Sequence, residues 1–288
     1  MDIIDARVRL PQDRRASASY TAPPRQTEQY DRVLGLTEKV ESGTLAGLLS
    51  VMDGQGITMA VMHAESEGGE DADDLNERLR LVLDAHPTRF VGIGSVDIGN
   101  PSPSAIVAQA VRASQAGLLG VSLQPAFFGL DIDDRRLYPL YSRAEELGLI
   151  VAVHTGINYS RLHPLRHERA ELLDQVACDF PDLRLIASHA GWPWATEYAA
   201  VARRHPTVYL EFGGLAPKYV ARPGTGWDAV FGMMPNLLRG QTLYGSDWPV
   251  FSPERAIAEW RGSGLPEDAL ASLFADNARR LFGLDARD

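Results

Sequence analysis

Eight short apolar runs rich in β-branched residues recur along the 288-residue chain, and their spacing limits the folds open to it. They are IIDARV (3–8), ITMAVM (57–62), RFVGIGSV (89–96), LLGVSLQ (118–124), IVAVHT (150–155), LRLIASH (183–189), VYLEF (208–212) and TLYGSD (242–247). Unbroken apolar strands of this length suit a parallel sheet covered on both faces. Helical patterning fills several of the gaps. Residues 71–86 open with acidic side chains and set Leu75, Leu79, Val82 and Leu83 on one face. Residues 103–117, 133–148 and 169–181 follow the same scheme, and Pro139 predicts a helix start or a kink in the third of these four.

Eight strands alternating with helices over most of the chain predict a single-domain (β/α)8 TIM barrel spanning residues 1–288. No G-x-G-x-x-G follows any strand, which argues against a dinucleotide-binding sheet. The long connection after strand 1, residues 11–43, holds three prolines and four arginines and is expected to be a lid or an insertion.

A net charge of -10 argues against a nucleic-acid partner. The single cysteine, Cys178, excludes an intrachain disulfide framework. No apolar stretch reaches the ~20 residues of a membrane span, and the opening carries no basic-then-apolar leader. A cytoplasmic protein is therefore expected, with a homodimer as the default oligomer.

Active sites of such barrels gather at the C-terminal ends of the strands. There the sequence places Arg7 and Arg9, Gln124, His154, His189, Glu211 and Asp247. In strand 1, alternation predicts Asp5, Arg7 and Arg9 on one face, with Ile4, Ala6, Val8 and Leu10 on the other. Other residues near the mouth carry blander expectations. His63, Glu65 and Glu67 read as a solvated acidic loop rather than a second metal site. Trp192, Trp194 and Trp248 read as rim packing, and Phe127 and Phe128 as an apolar wall or simple packing. Asn158, Tyr159, Arg161, His163 and His167 are further candidates to touch a substrate.

The ordered set VAVHTG, DFPDLRLIASHAGWPW, VYLEFGG, LYGSDWP and ADNARRLFGL resembles the amidohydrolase superfamily. Within it, the chain is most similar to the amidohydrolase-2 branch of aminocarboxymuconate semialdehyde decarboxylase and related aryl-acid decarboxylases and hydrolases. The resemblance runs from about residue 3 to residue 284. It implies that His154 matches the strand-5 metal ligand, and His189 the strand-6 histidine that acts as base or orients water. Asp247 matches the strand-8 aspartate that binds metal and handles protons.

Strand 1 departs from the pattern. Members begin with Asp-x-His-x-His, whose histidines bind the metal; here Arg7 and Arg9 stand in those two positions. Arginine stays protonated and offers no lone pair. Two unit charges about 5 Å apart at an effective dielectric of ~20 repel by roughly 3 kcal/mol, and a divalent ion doubles that. No metal cofactor is therefore expected. Zinc or manganese, if present, would have only His154, His189 and Asp247.

The expected activity is metal-independent hydrolysis of a lactone, ester or amide in a small anionic substrate. Asp247 is the expected general base, assisted by His154 and His189. Arg7 and Arg9 are expected to bind carboxylate or oxyanion, alongside Gln124 and Glu211. The alternatives are decarboxylation or another ring proton transfer, and a silent barrel that binds a small molecule or a partner. In the silent case the arginines would pair with Asp247 or Glu211.

Overall fold

All eight apolar runs become parallel strands in the computed structural model, which describes residues 1–11, 28–29, 32–35, 38–39, 43–67, 70–99 and 102–284. The strands are β1 Ile3–Arg9, β2 Ile57–His63, β3 Phe90–Ser95 and β4 Gly120–Leu123. They continue with β5 Ile150–His154, β6 Arg184–Ser188, β7 Val208–Glu211 and β8 Thr242–Leu243. Each pairs with the next in chain order. Regular pairing of β8 stops at Leu243, yet the chain beyond it closes the seam with β1. Ala6 N donates to Tyr244 O (2.8 Å), Asp247 N to Arg7 O (2.9 Å) and Arg9 N to Trp248 O (2.9 Å). The expected (β/α)8 barrel is the observed one. The expected lid, residues 11–43, lies largely outside the described residues.

Helices cover the outside. They are α1 Leu45–Gln55, α2 Ala72–Ala85, α3 Pro103–Gln115, α4 Tyr138–Leu147, α5 Ala170–Asp179 and α6 Ala195–Arg204. Short helices α7 Pro217–Val220 and α8 Asp228–Met233 follow β7, and α9 Pro253–Arg261 follows β8. The helix containing Pro139 starts at Tyr138 instead of kinking, because proline lacks only an N–H that the first turn leaves unpaired. The side chains of Asp71 and Ser102 cap α2 and α3 by accepting from Asp74 N and Ala105 N. None of the described helices is long and apolar enough to cross a membrane.

The barrel interior has two layers. In the lower one Ile4, Ala6, Val61, Val91, Ile93, Ile150, Ala152, Ile186, Tyr209 and Leu243 form an apolar cluster. Helices α10 Glu267–Ala271 and α11 Asn277–Phe282 end the described chain. Ala278, Leu281 and Phe282 of α11 join that cluster and plug the N-terminal end. Two residues further along five of these strands, alternation brings up a buried polar layer: His63, Ser95, His154, Ser188 and Glu211.

β1 reaches the same layer by a different route. Its register against β2 shifts between Asp5 and Val8, as a bulge requires. Ile4 and Ala6 therefore pack in the interior cluster, whereas Val8 and Leu10 pack on the helix side. This corrects the single apolar face expected for those four residues. Asp5 holds the bulge: its Oδ1 accepts Ser246 N (2.9 Å) and Arg7 N (3.2 Å). Both arginines are delivered to the polar layer.

Candidate active site

His154 closes β5, His189 directly follows β6, and Asp247 lies four residues past the last paired residue of β8. His189 (φ 62°), Ala190 (φ 48°) and Asp247 (φ 58°) all adopt left-handed backbone conformations without being glycine. Such geometry costs on the order of 1–3 kcal/mol per residue and tends to gather at functional sites. Gly245 lets the chain pass close by, since a Cβ there would collide with Glu211 and Arg7.

The two arginines sit in an ion-pair network. Arg7, 1% exposed, directs Nε to Asp247 Oδ1 (3.2 Å), Nη1 to Ser188 Oγ (3.1 Å) and Nη2 to Glu65 Oε1. Arg9 directs Nε to Asp247 Oδ1 (2.9 Å), Nη2 to Asp247 Oδ2 (3.4 Å) and Nη1 to Glu67 Oε2 (3.1 Å). Glu65 Oε2 lies 3.4 Å from Arg9 Nη1. Glu65 is thus buried in the network, which corrects the solvated loop expected after strand 2. His63 lies below it, with Nε2 3.1 Å from Ala6 O.

Burial works to raise the pKa of Asp247, but Arg9 and Arg7 outweigh it and hold the carboxyl at about 2. Glu65 is likewise held below the usual range: burial opposes the shift, and Arg7 and Arg9 drive it. Burial, Arg7 and His154 push His189 down to about 3, so its ring is neutral. His189 Nδ1–H donates to Gly213 O (2.7 Å), which leaves Nε2 as a bare acceptor. Burial pushes Glu211 up to about 8, beyond what Arg7 can offset. Its oxygens accept His189 N (3.4 Å) and Gly213 N.

His154 has the partner that strand-end reasoning missed. Its Nδ1 lies 2.9 Å from Oε1 of Glu168, a carboxylate with no exposed surface in the loop after β5. Glu168 is fixed in turn, its Oε2 accepting Asn158 N (3.1 Å) and its carbonyl accepting Tyr198 OH (3.0 Å). The His154 and His189 rings lie 5.0 Å apart, and Phe127 stands edge-on to His154 at 5.1 Å.

These groups open on a pocket of ≈ 590 Å³, counting the space at its open mouth. Arg9, Glu67, His154, His189 and Asp247 supply its charged and ionisable lining, with Tyr159 beside them. Leu34, Phe127, Ile157, Trp192, Leu215 and Val250 form its walls. Trp192 stacks on Trp227 at 5.2 Å and 12°, so it is a fixed wall as well as rim packing. Arg7, Gln124 and Glu211 do not line the pocket. Gln124 is buried and donates to Ser122 Oγ (2.9 Å), and Glu211 lies behind His189 and Gly213. Trp248 packs in the core, and Phe128 and Trp194 lie half-buried against it. His167 pairs with Asp131, and Arg161 with Gln29.

The metal implied by the resemblance does not fit these donors. The two strand-1 positions carry guanidinium groups, and both Asp247 oxygens accept from them. Among the described residues, the one group of three candidate ligands with atoms within 4.8 Å of each other is Asp174, Cys178 and His205, outside the barrel.

An eight-stranded barrel with paired histidines and an aspartate at its mouth is the arrangement that the sequence resemblance implies, and the comparisons agree with that family. A family model described as amidohydrolase matches residues 4–284, and the chain belongs to that family. Over 101 residues it is 30% identical to the 2-amino-3-carboxymuconate-6-semialdehyde decarboxylase of Dictyostelium discoideum, a match covering 34% of this chain and 28% of that protein. An uncharacterized TIM-barrel protein from Bordetella bronchiseptica superposes with a TM-score of 0.78 at 26% identity, covering 100% of both chains. The 5-carboxyvanillate decarboxylase of Sphingomonas paucimobilis gives 0.73 at 18% identity, covering 98% of this chain and 99% of its own.

Proposed function

We propose that the protein is a metal-independent hydrolase that opens a small lactone, ester or amide, with His154 as the base that activates water. The observation that carries this reading is the buried His154–Glu168 pair at 2.9 Å. Glu168 accepts Nδ1–H, fixes the tautomer and leaves Nε2 to take a proton at the pocket. His189 contributes a second bare Nε2 to the same pocket. A water held by these two acceptors turns its lone pairs towards a bound carbonyl.

In the reaction, His154 Nε2 takes a proton from water as the oxygen bonds to the carbonyl carbon. The bond from that carbon to the leaving oxygen or nitrogen then breaks, and His154 returns the proton to the leaving group. One water is consumed, and an acid plus an alcohol or amine results. Arg9, the arginine that lines the pocket, faces the developing oxyanion. Asp247, the base expected from the sequence, serves better as a fixed charge. A carboxylate held at about 2 with both oxygens bonded to guanidinium groups takes up protons poorly at neutral pH.

Decarboxylation is the second reading, favoured by the similarity to decarboxylases. There His154, protonated on both nitrogens, would protonate a ring carbon as the bond to the carboxylate breaks and carbon dioxide leaves.

Chelator-treated enzyme should turn over members of a panel of aromatic lactones and esters, releasing acid and no carbon dioxide. His154→Ala should lower kcat by roughly 10²–10⁴-fold. Glu168→Gln should lose less and move the acid limb of the pH profile. Carbon dioxide released from carboxylated aromatics, or activity lost to chelation and restored by manganese or zinc, would overturn the hydrolase reading.

A further inference from the structure

We propose that the substrate of this pocket is uncharged, an inference that rests on the hydrolase reading above and names its substrate class. Two arginines at a barrel mouth suggest an anion site, but here both are already neutralised by the protein. Each of the six guanidinium nitrogens of Arg7 and Arg9 except Arg9 Nη2 lies within 3.2 Å of a protein oxygen, and Arg9 Nη2 lies 3.4 Å from Asp247 Oδ2.

The balance of charge then favours the carboxylates. Asp247, Glu65 and Glu67 face two guanidinium groups, and Glu168 stands behind His154. Glu211, behind Arg7, can only add to the negative side. At the pocket surface itself one cation, Arg9, meets two anions, Asp247 and Glu67. A substrate carboxylate at Arg9 would sit beside both Glu67 and Asp247, and no second described cation lines the pocket to offset it. Like charges brought together in a partly desolvated site repel strongly. A lactone, neutral ester or amide meets no such barrier. Its carbonyl can lie against Arg9 without breaking an ion pair, and its apolar body meets Phe127, Trp192 and Leu215.

Benzamide and benzoate are matched in shape and differ in charge, so they probe the proposal through binding, with the samples checked for any benzoate formed from the amide. Titrated against the wild-type protein and followed by the histidine side-chain NMR signals, benzamide should bind at least about 10-fold more tightly. Glu67→Gln removes one pocket carboxylate and should narrow that ratio several-fold. Benzoate binding as tightly as benzamide, or benzamide failing to shift the histidine signals, overturns the proposal. Turnover separates this inference from the reading beneath it. Preference for benzamide with no hydrolysis of dihydrocoumarin strikes the hydrolase reading and leaves charge selection standing. Hydrolysis that favours a carboxylated dihydrocoumarin over the parent does the reverse.

Discussion

The two ends of the barrel interior are built from the same strands by opposite means. At the N-terminal end, Ile150, Ala152 and Ile186 meet Leu281 and Phe282 of α11 in an all-apolar plug. At the C-terminal end, one alternation further along the same strands, His154 and Ser188 belong to a buried polar layer threaded by Arg7. Hydrophobic burial at the lower end needs no particular geometry, and Leu, Ile and Phe supply it. The upper end holds buried charges that are tolerable only while each keeps its partners. One end stabilises the fold, and the other spends conformational freedom on placing functional groups.

Removing a charge tests that contrast most severely. Arg7→Met leaves Asp247 and Glu65 buried with Arg9 as their one remaining guanidinium partner and should cost roughly 3–5 kcal/mol in denaturant unfolding. Arg7→Met combined with Glu65→Gln should cost less than the sum of the single changes, because the two groups are in contact. A near-neutral Arg7→Met would show that the network is not what holds the upper end together.

The lower end should respond by volume alone. Leu281→Ala opens a cavity in the plug and should cost roughly 2–5 kcal/mol. Binding of benzamide at the mouth should stay within about twofold, since no residue of the plug lines the pocket. A larger change in binding would mean that the two ends are coupled and the contrast between them is false.

The same contrast explains what could be read from the sequence. Apolar runs announce strands directly, because unbroken β-branched segments have few other uses, so the barrel was legible. His154, His189 and Asp247 were legible because each stands where an apolar run stops. Glu65, Glu67 and Glu168 lie in loops, and only the folded path of those loops brings them to Arg7, Arg9 and His154. Two carboxylates shortly after strand 2, facing two arginines on the neighbouring strand, were the one available signal for Glu65 and Glu67. Glu168, 14 residues beyond His154, carries no local signal. The bulge in β1 was hidden because Ile4, Ala6, Val8 and Leu10 keep a regular alternation across it. Gln124 and Glu211 show that a strand end is not the same as a pocket wall: one turns to Ser122, and the other is roofed by His189 and Gly213.

Glu211 gives the smallest and most specific test, because it belongs to the polar layer yet is uncharged at neutral pH. Burial raises its pKa from 4.5 to about 8. Between those values the folded protein keeps a proton that the unfolded chain releases, so this group's contribution is complete below pH 4.5 and is lost as pH rises through 8. Each unit of that difference is worth about 1.4 kcal/mol. His189 acts in the opposite sense at lower pH: its folded value of about 3 lies below 6.5, so its contribution is lost as pH falls from 6.5 towards 3. Glu211→Gln copies the protonated acid and cannot ionise. Measured from pH 7 to 9, the variant should therefore lose less stability than the wild type, by about 1 kcal/mol. Their unfolding free energies should run parallel if Glu211 is already ionised in the fold. In that case Arg7 would outweigh burial, and the upper layer would carry one more negative charge.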